Sequence, residues 1–221
     1  IKDGMTILTH CHSSTVLQSL KATKQQGKNF KVYFTETRPL MQGRITAEEL
    51  VKAGIDATMI TDAEAAFLVS QEDQVKVDLV FLGADAILPD GSIINKVGSY
   101  GIALSAQEAH VPVYIFAKLL KYSAKEVEIE EREGKEVWEE KPGDLKIFNP
   151  AFDKVPAELI SGIVTEFGIL KPEEAEQAVR KNYPWIMDSG PFGSAQGKQV
   201  QNDVMVPPYK HYLHLGEKPD K

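Results

Sequence analysis

Short apolar runs alternate with amphipathic stretches along most of this chain. Met5–Leu8, Lys31–Phe34, Ala57–Ile60, Leu79–Leu82, Pro112–Phe116 and Gly162–Thr165 read as buried strands, because each is brief and apolar and is followed by polar or turn-forming residues. Thr15–Gln26, Thr46–Lys52, Ala63–Ser70 and Gly98–Glu108 carry helical spacing between them. Ser13 or Ser14 is the expected N-cap of the first helix. Thr46 followed by Glu49 spells a capping box for the second, and Gly27 and Gly54 stand where C-terminal caps belong. Strand–helix alternation predicts a doubly wound, mostly parallel Rossmann-like α/β sheet, since parallel neighbours need long crossovers.

Two stretches break this rhythm. In Lys125–Lys141, Val127 and Ile129 alternate with Glu126, Glu128 and Glu130, which predicts a solvated, two-stranded β excursion across 124–143. An acidic interaction surface is the other reading of that segment. The residues from Asn182 onward are rich in Pro, Gly, Tyr and polar side chains. The expected division is therefore a domain over 1–183 and a C-terminal extension over 184–221, with Pro207-Pro208-Tyr209 either packed on a surface or unstructured.

Composition narrows the classes. An apolar fraction of 43% and a charged fraction of 26% over 221 residues are those of a soluble globular protein. A net charge of −7 argues against nucleic-acid binding, which depends on neutralising phosphates. No run is long enough to span a membrane, and one cysteine fits a reducing, cytoplasmic setting. The chain opens at Ile1, already at the entrance to a core strand, so a preceding segment is expected.

In open α/β sheets ligands gather at the carboxyl ends of the strands. Four polar clusters follow predicted strands: His10-Cys11-His12-Ser13-Ser14, Thr35–Arg44, Gly83-Ala84-Asp85-Ala86 and Asn95-Lys96-Val97-Gly98-Ser99. Cys11 sits where a strand turns into a helix, and a helix N-terminus lowers a thiol's pKa and attracts anions; its other reading is a small buried hydrophobe. Asp85 follows an apolar strand and a Gly-Ala pair, where burial would raise its pKa and suit it to donate a proton; it could equally cap a turn. Arg38 offers a planar fork for phosphate or a structural ion pair with Glu36. Gln42 can bind sugar hydroxyls or serve as a loop amide, and Arg44 reads as a surface cation. Lys96, beside Asn95 at a helix start, can hold phosphate or stay solvated. His10 and His12 flank the thiol, but in an extended segment both rings would project away from it, so no metal is expected. Nor is there a Walker A or dinucleotide-binding glycine motif.

Taken in order, ILTHCHSS at Ile7–Ser14, TETRPLMQGRITAEEL at Thr35–Leu50, GADAILPDGSIINKVGS at Gly83–Ser99 and FNPAFDKVP at Phe148–Pro156 resemble the sugar-phosphate isomerase and translation-initiation-factor-2B-like superfamily. The similarity runs from Met5 to Tyr183. THCHS, QGRIT and GADAI resemble the ribose-1,5-bisphosphate isomerase family more than the methylthioribose-1-phosphate isomerases, whose typical forms are THCNA and GADRI. The non-catalytic initiation-factor subunits generally lack the cysteine–aspartate pair. The resemblance implies conversion of ribose 1,5-bisphosphate to ribulose 1,5-bisphosphate in AMP degradation, without a cofactor. It makes Asp85 the acid/base that opens the ring and Cys11 the thiolate that takes the C2 proton. Ser13, Arg38, Gln42, Asn95 and Lys96 would bind the phosphorylated pentose. It also implies a homo-oligomer, a dimer or a hexamer, leaves activation by AMP open, and implies a helical N-terminal domain that this chain does not contain.

Overall fold

The computed structural model describes residues 1–71, 73, 75–125 and 127–188. The 184–221 extension therefore lies almost wholly outside the described residues, as does Glu126. The strands in chain order are β1 (Thr6–Thr9), β2 (Lys31–Thr35), β3 (Asp56–Ile60), β4 (Leu79–Gly83), β5 (Ala86–Ile87), β6 (Ile93–Lys96), β7 (Val113–Phe116), β8 (Phe152–Val155), β9 (Gly162–Thr165) and β10 (Gly168–Leu170). The helices are α1 (Ser14–Gln25), α2 (Gly43–Lys52), α3 (Glu64–Ser70), α4 (Ser99–Glu108), α5 (Ala175–Asn182) and α6 (Trp185–Asp188).

Seven strands form the main sheet in the order β10-β9-β7-β4-β1-β2-β3. All neighbours are parallel except β10, which closes one edge antiparallel to β9. From β1 the chain winds outward through β2 and β3, then crosses back to place β4 on β1's other side. That reversal opens a crevice outside the carboxyl ends of β1 and β4, where doubly wound sheets bind ligands.

Alternation along the central strands fills both faces, whereas the edge strands β3 and β10 hold no buried residue. Ile7, Val32 and Phe34 pack with Leu17 and Leu20 of α1 and Leu50 of α2. Leu8, Val80, Leu82 and Ile115 pack on the opposite face with Leu68 of α3, Ile102 and Ala103 of α4 and Val179 of α5. Ile7, Leu8, Leu82 and Ile115 are fully buried, so the strands beside the crevice are anchored from above and below. Among the described residues no helix is long and apolar enough to cross a membrane.

The six predicted strands and four predicted helices all form, with ends shifted by up to three residues. Ser13 caps α1, its Oγ accepting from the Val16 N–H at 3.4 Å. Gly27 and Gly54, at φ 82° and 67°, end α1 and α2 as expected. Two expectations fail. α2 starts at Gly43, so Thr46 lies inside it; its hydroxyl turns to the Cys11 carbonyl, and Glu49 accepts from Lys21, leaving no capping box. Along 127–141 the chain forms no two-stranded ribbon among the described residues. Glu131 makes an isolated antiparallel bridge to Pro150, and a short turn at Gly134–Glu136 is pinned by Arg132, whose guanidinium donates to both Glu136 oxygens at 2.7–3.0 Å. The antiparallel structure instead comes from the small sheet β5-β6-β8, which pairs Lys96 with Phe152. Its strands are two to four residues long, too short for a periodic signal.

Candidate functional site

Beyond β1 the chain turns sharply. Cys11 adopts φ 66°, and Thr37, leaving β2, adopts φ 62°. A left-handed backbone at a non-glycine residue costs about 1–3 kcal/mol and persists only where surrounding bonds over-determine it. Those bonds are present. The Cys11 N–H donates to Thr37 Oγ1 at 3.1 Å, and the Cys11 carbonyl accepts the Thr46 hydroxyl at 3.2 Å. Thr37 is fixed in turn by Asp62, whose two carboxylate oxygens accept the Thr37 and Arg38 N–H groups at 2.8 and 2.6 Å.

The segment is thus not extended, and the flanking histidines face protein rather than each other. His10 is buried, with Nε2 2.9 Å from the Val97 carbonyl and Nδ1 2.6 Å from Thr35 Oγ1. His12 Nδ1 lies 3.4 Å from Thr46 Oγ1. Burial holds both rings below the usual imidazole range. Among the described residues no three His, Cys, Asp or Glu side chains converge as metal ligands.

β4 delivers the second half. A Cβ on Gly83 would lie 2.9 Å from Ser13 Oγ and 3.6 Å from Asn95 Oδ1, so these two side chains meet over a glycine at the strand's end. Asn95 is buried and donates to Ser99 Oγ at 2.8 Å. Two residues past Gly83, the Asp85 N–H donates to the Ile94 carbonyl at 2.7 Å, joining β4's exit to the small sheet. That sheet presents Lys96, only 5% exposed, with Nζ 5.1 Å from the centre of the Phe152 ring.

The charges at the crevice act on one another. Burial raises the Asp85 carboxyl above the usual carboxylate range, opposed by Lys121 and Lys96. Burial likewise pushes the Cys11 thiol up to about 12, with Lys96 the first opposing influence and Asp85 and Asp62 reinforcing the rise. This corrects the expectation of a helix-lowered thiol. Cys11 stands three residues before α1, and Ser13 takes the capping position, so desolvation outweighs the helix terminus.

Of the residues singled out in the sequence, Cys11, Ser13, Asp85, Asn95 and Lys96 come together at the crevice. Arg38, on the loop after β2, is exposed, and its Nη2 donates to the Val137 carbonyl of the acidic segment at 2.9 Å. Gln42 directly precedes α2, and its Oε1 is buried without a hydrogen-bond partner among the described residues. Arg44 is exposed on α2. Sequence reasoning missed Lys121, whose Nζ donates to the Ala84 carbonyl at 2.6 Å beside Asp85. It follows β7, the neighbour of β4, so the same strand-end rule applied to Pro112–Phe116 would have found it. Thr35 and Thr37 lie in the cluster after the second predicted strand, and Asp62 just after the third, so the strand-end rule reaches them without indicating their roles.

The chain matches the initiation factor 2 subunit family over residues 1–172. It is 42% identical over 193 residues to the ribose 1,5-bisphosphate isomerase of Methanocaldococcus jannaschii, covering 84% of this chain and 61% of that one. It is also 40% identical over 195 residues to the methylthioribose-1-phosphate isomerase of Fervidobacterium nodosum, covering 80% and 55%. Among solved structures, the 5-methylthioribose 1-phosphate isomerase of Pyrococcus horikoshii aligns with a TM-score of 0.73 at 30% identity, covering 82% of this chain and 56% of that one. The translation initiation factor eIF-2B subunit delta from A. fulgidus aligns at 0.72 with 33% identity, covering 85% and 58%. The chain spans 61%, 56% and 60% of the lengths of three ribose 1,5-bisphosphate isomerases it resembles. With a family match over most of its length and a fold shared with solved relatives, this chain belongs to the initiation factor 2 subunit family.

Proposed function

We propose that this chain carries the acid/base centre of an aldose–ketose isomerase acting on ribose 1,5-bisphosphate. One observation supports this most: Cys11 and Asp85 leave adjacent parallel strands at the sheet's reversal point, and the buried Lys96 acts electrostatically on both. In this reading Asp85, whose carboxyl burial shifts toward the protonated form, gives its proton to the ring oxygen as the bond from C1 to that oxygen breaks. The Cys11 thiolate removes the C2 proton, the resulting thiol returns it to C1 of the enol-type intermediate, and the C2 hydroxyl gives its proton back to Asp85 as the carbonyl forms at C2. The working base is the minority thiolate, because burial favours the thiol, and Lys96 is the leading group that favours its ionisation. Ser13 and Asn95 would contact the sugar and Lys96 a phosphate. Self-association belongs to the same reading and is checked by light scattering.

The test measures ribulose 1,5-bisphosphate formation by the 221-residue chain. Cys11→Ser and Asp85→Asn should each lower kcat about a hundredfold or more, the scale of a general acid or base, with far-ultraviolet dichroism unchanged. Full turnover by either variant rejects the assignment. A second reading, methylthioribose 1-phosphate as substrate, draws on the 40% identity to the Fervidobacterium nodosum protein. Parallel assays on the two sugars decide between them, and ligand binding without turnover of either points to a regulatory subunit.

A further inference from the structure

The geometry points to His10, Thr35 and Thr37 as positioning residues that hold Cys11 in its left-handed conformation and tie it to the turn that follows Asn95 and Lys96 of β6. This deepens the proposed function and rests on it where turnover is concerned. His10, Thr35 and Thr37 are 2%, 0% and 0% exposed, so they act through Cys11 rather than on a ligand.

The direction of the hydrogen bonds follows from what each atom can do. A backbone carbonyl only accepts, so His10 Nε2 carries the proton facing Val97. Neutral His10 then accepts at Nδ1, and Thr35 must donate its hydroxyl proton there. The Thr37 hydroxyl, 3.0 Å from Thr35 Oγ1 and 3.3 Å from the Thr35 carbonyl, donates its one proton toward the nearer Oγ1 and keeps its lone pairs for the Cys11 N–H. Four hydrogen bonds thus run in series from the Cys11 peptide to the Val97 carbonyl, joining the exit of β1, the end of β2 and the turn after β6.

The ring's other edge is fixed too. A Cβ on Gly98 would stand 3.2 Å from His10 Nε2 and 3.3 Å from Cε1, and Gly98 adopts φ 107°. His10 is therefore wedged between Thr35 at the end of β2 and the Val97-Gly98 turn that follows β6. The charged groups that act on Cys11 are Lys96, Asp85 and Asp62, and those acting on His10 are Asp62 and Lys96. Asp62 also accepts the Thr37 N–H at 2.8 Å, so it anchors the same series from below.

Cys11 is the chain's single cysteine, so alkylation by iodoacetamide, which forms a thioether and releases iodide, reports on it alone. At one mildly alkaline pH, Thr37→Val in the 221-residue chain should alkylate about tenfold faster, because the loosened turn brings the thiol toward water. Its kcat on ribose 1,5-bisphosphate should fall about tenfold or more with KM within about twofold, the signature of a displaced catalytic group. Thr37→Ser, which keeps the hydroxyl, should restore both. Thr35→Val should move both in the same direction by less, and it carries the test alone if Thr37→Val does not fold. A folded Thr37→Val chain that alkylates at the wild-type rate, or a Thr37→Ser chain that is not restored, overturns the proposal: a merely structural bond would lower Tm and leave the rate untouched. If the wild type isomerises no sugar phosphate, the proposed function falls while the alkylation rates still decide the positioning role.

Discussion

Gly43 and Gly101 both lie in helices, and replacing each with alanine should move stability in opposite directions. The added methyl of Gly43→Ala would sit 2.0 Å from the Thr35 carbonyl oxygen and 2.8 Å from Glu36 Cα. Ordinary contact begins near 3.4 Å, so the strand end and the helix start must separate by about 1.4 Å, the difference of those two distances. The obstructing atoms are backbone and cannot swing aside. Overpacking of this kind costs about 1–3 kcal/mol, against at most about 1 kcal/mol that alanine gains over glycine in a helix. The net loss is about 2 kcal/mol, which for a chain of this size lowers Tm by about 4–8 °C. Gly101, exposed in α4, has nothing within 4 Å of its Cβ position, so Gly101→Ala should raise Tm by about 1–4 °C. Thermal unfolding followed by circular dichroism on both variants measures the contrast. A Gly43→Ala chain as stable as the wild type, or two shifts of the same sign, refutes the reasoning. Because the clash falls on Thr35, Gly43→Ala should also speed Cys11 alkylation.

Ultraviolet titration of the lone thiolate should give a midpoint near 12, and Lys96→Met should push it higher, since Lys96 pulls it down; a midpoint near the ordinary thiol value contradicts the burial argument. Asp90 feels desolvation, but the Ser92 hydroxyl, Lys154 and the Ser92 N–H outweigh it and hold the carboxyl down at about 2. A folded value below the unfolded one stabilises above the ordinary carboxylate pKa, and the benefit disappears as pH falls toward 2. Wild type and Asp90→Asn should therefore differ in unfolding midpoint at neutral pH and converge in strong acid. Asp153 Oδ2 accepts the Gly98 and Tyr100 N–H groups at 2.7 and 3.1 Å, capping α4 from β8. Asp153→Ala should cost about 1–3 kcal/mol in urea unfolding, and no loss would show that water replaces the cap.

What could be read from the sequence was whatever repeats locally. Leu79–Leu82 and Lys31–Phe34 announce themselves by apolar content, and the rule that ligands gather at strand ends then reaches Cys11 and Asp85 without knowledge of the sheet order. The small sheet stayed hidden because Ala86–Ile87 is too short to show a period, and Phe152–Val155 has meaning only through pairing with Ile93–Lys96, far earlier in the chain. Arg38 illustrates another limit. Its chemistry suits a phosphate, but the carbonyl it meets belongs to Val137, 99 positions along, and no local pattern carries that contact. The thiol's ionisation was misjudged for the same reason: the helix start is visible in sequence, whereas the desolvation that overrides it is a property of the assembled crevice.

The adjacency of β1 and β4 has a consequence for how the gene could change. Thr6 meets Asp78, 72 positions away, while its other neighbour Lys31 is only 25 away. Loop-closure entropy grows with the logarithm of length, so the longer connection costs only about 0.9 kcal/mol more than the shorter. Doubling it again would add about 0.6 kcal/mol. New sequence spliced between α3 and β4 would thus add little closure entropy to the pairing of β1 with β4, as long as Val77 stays packed and Asp78 stays bonded to Thr6.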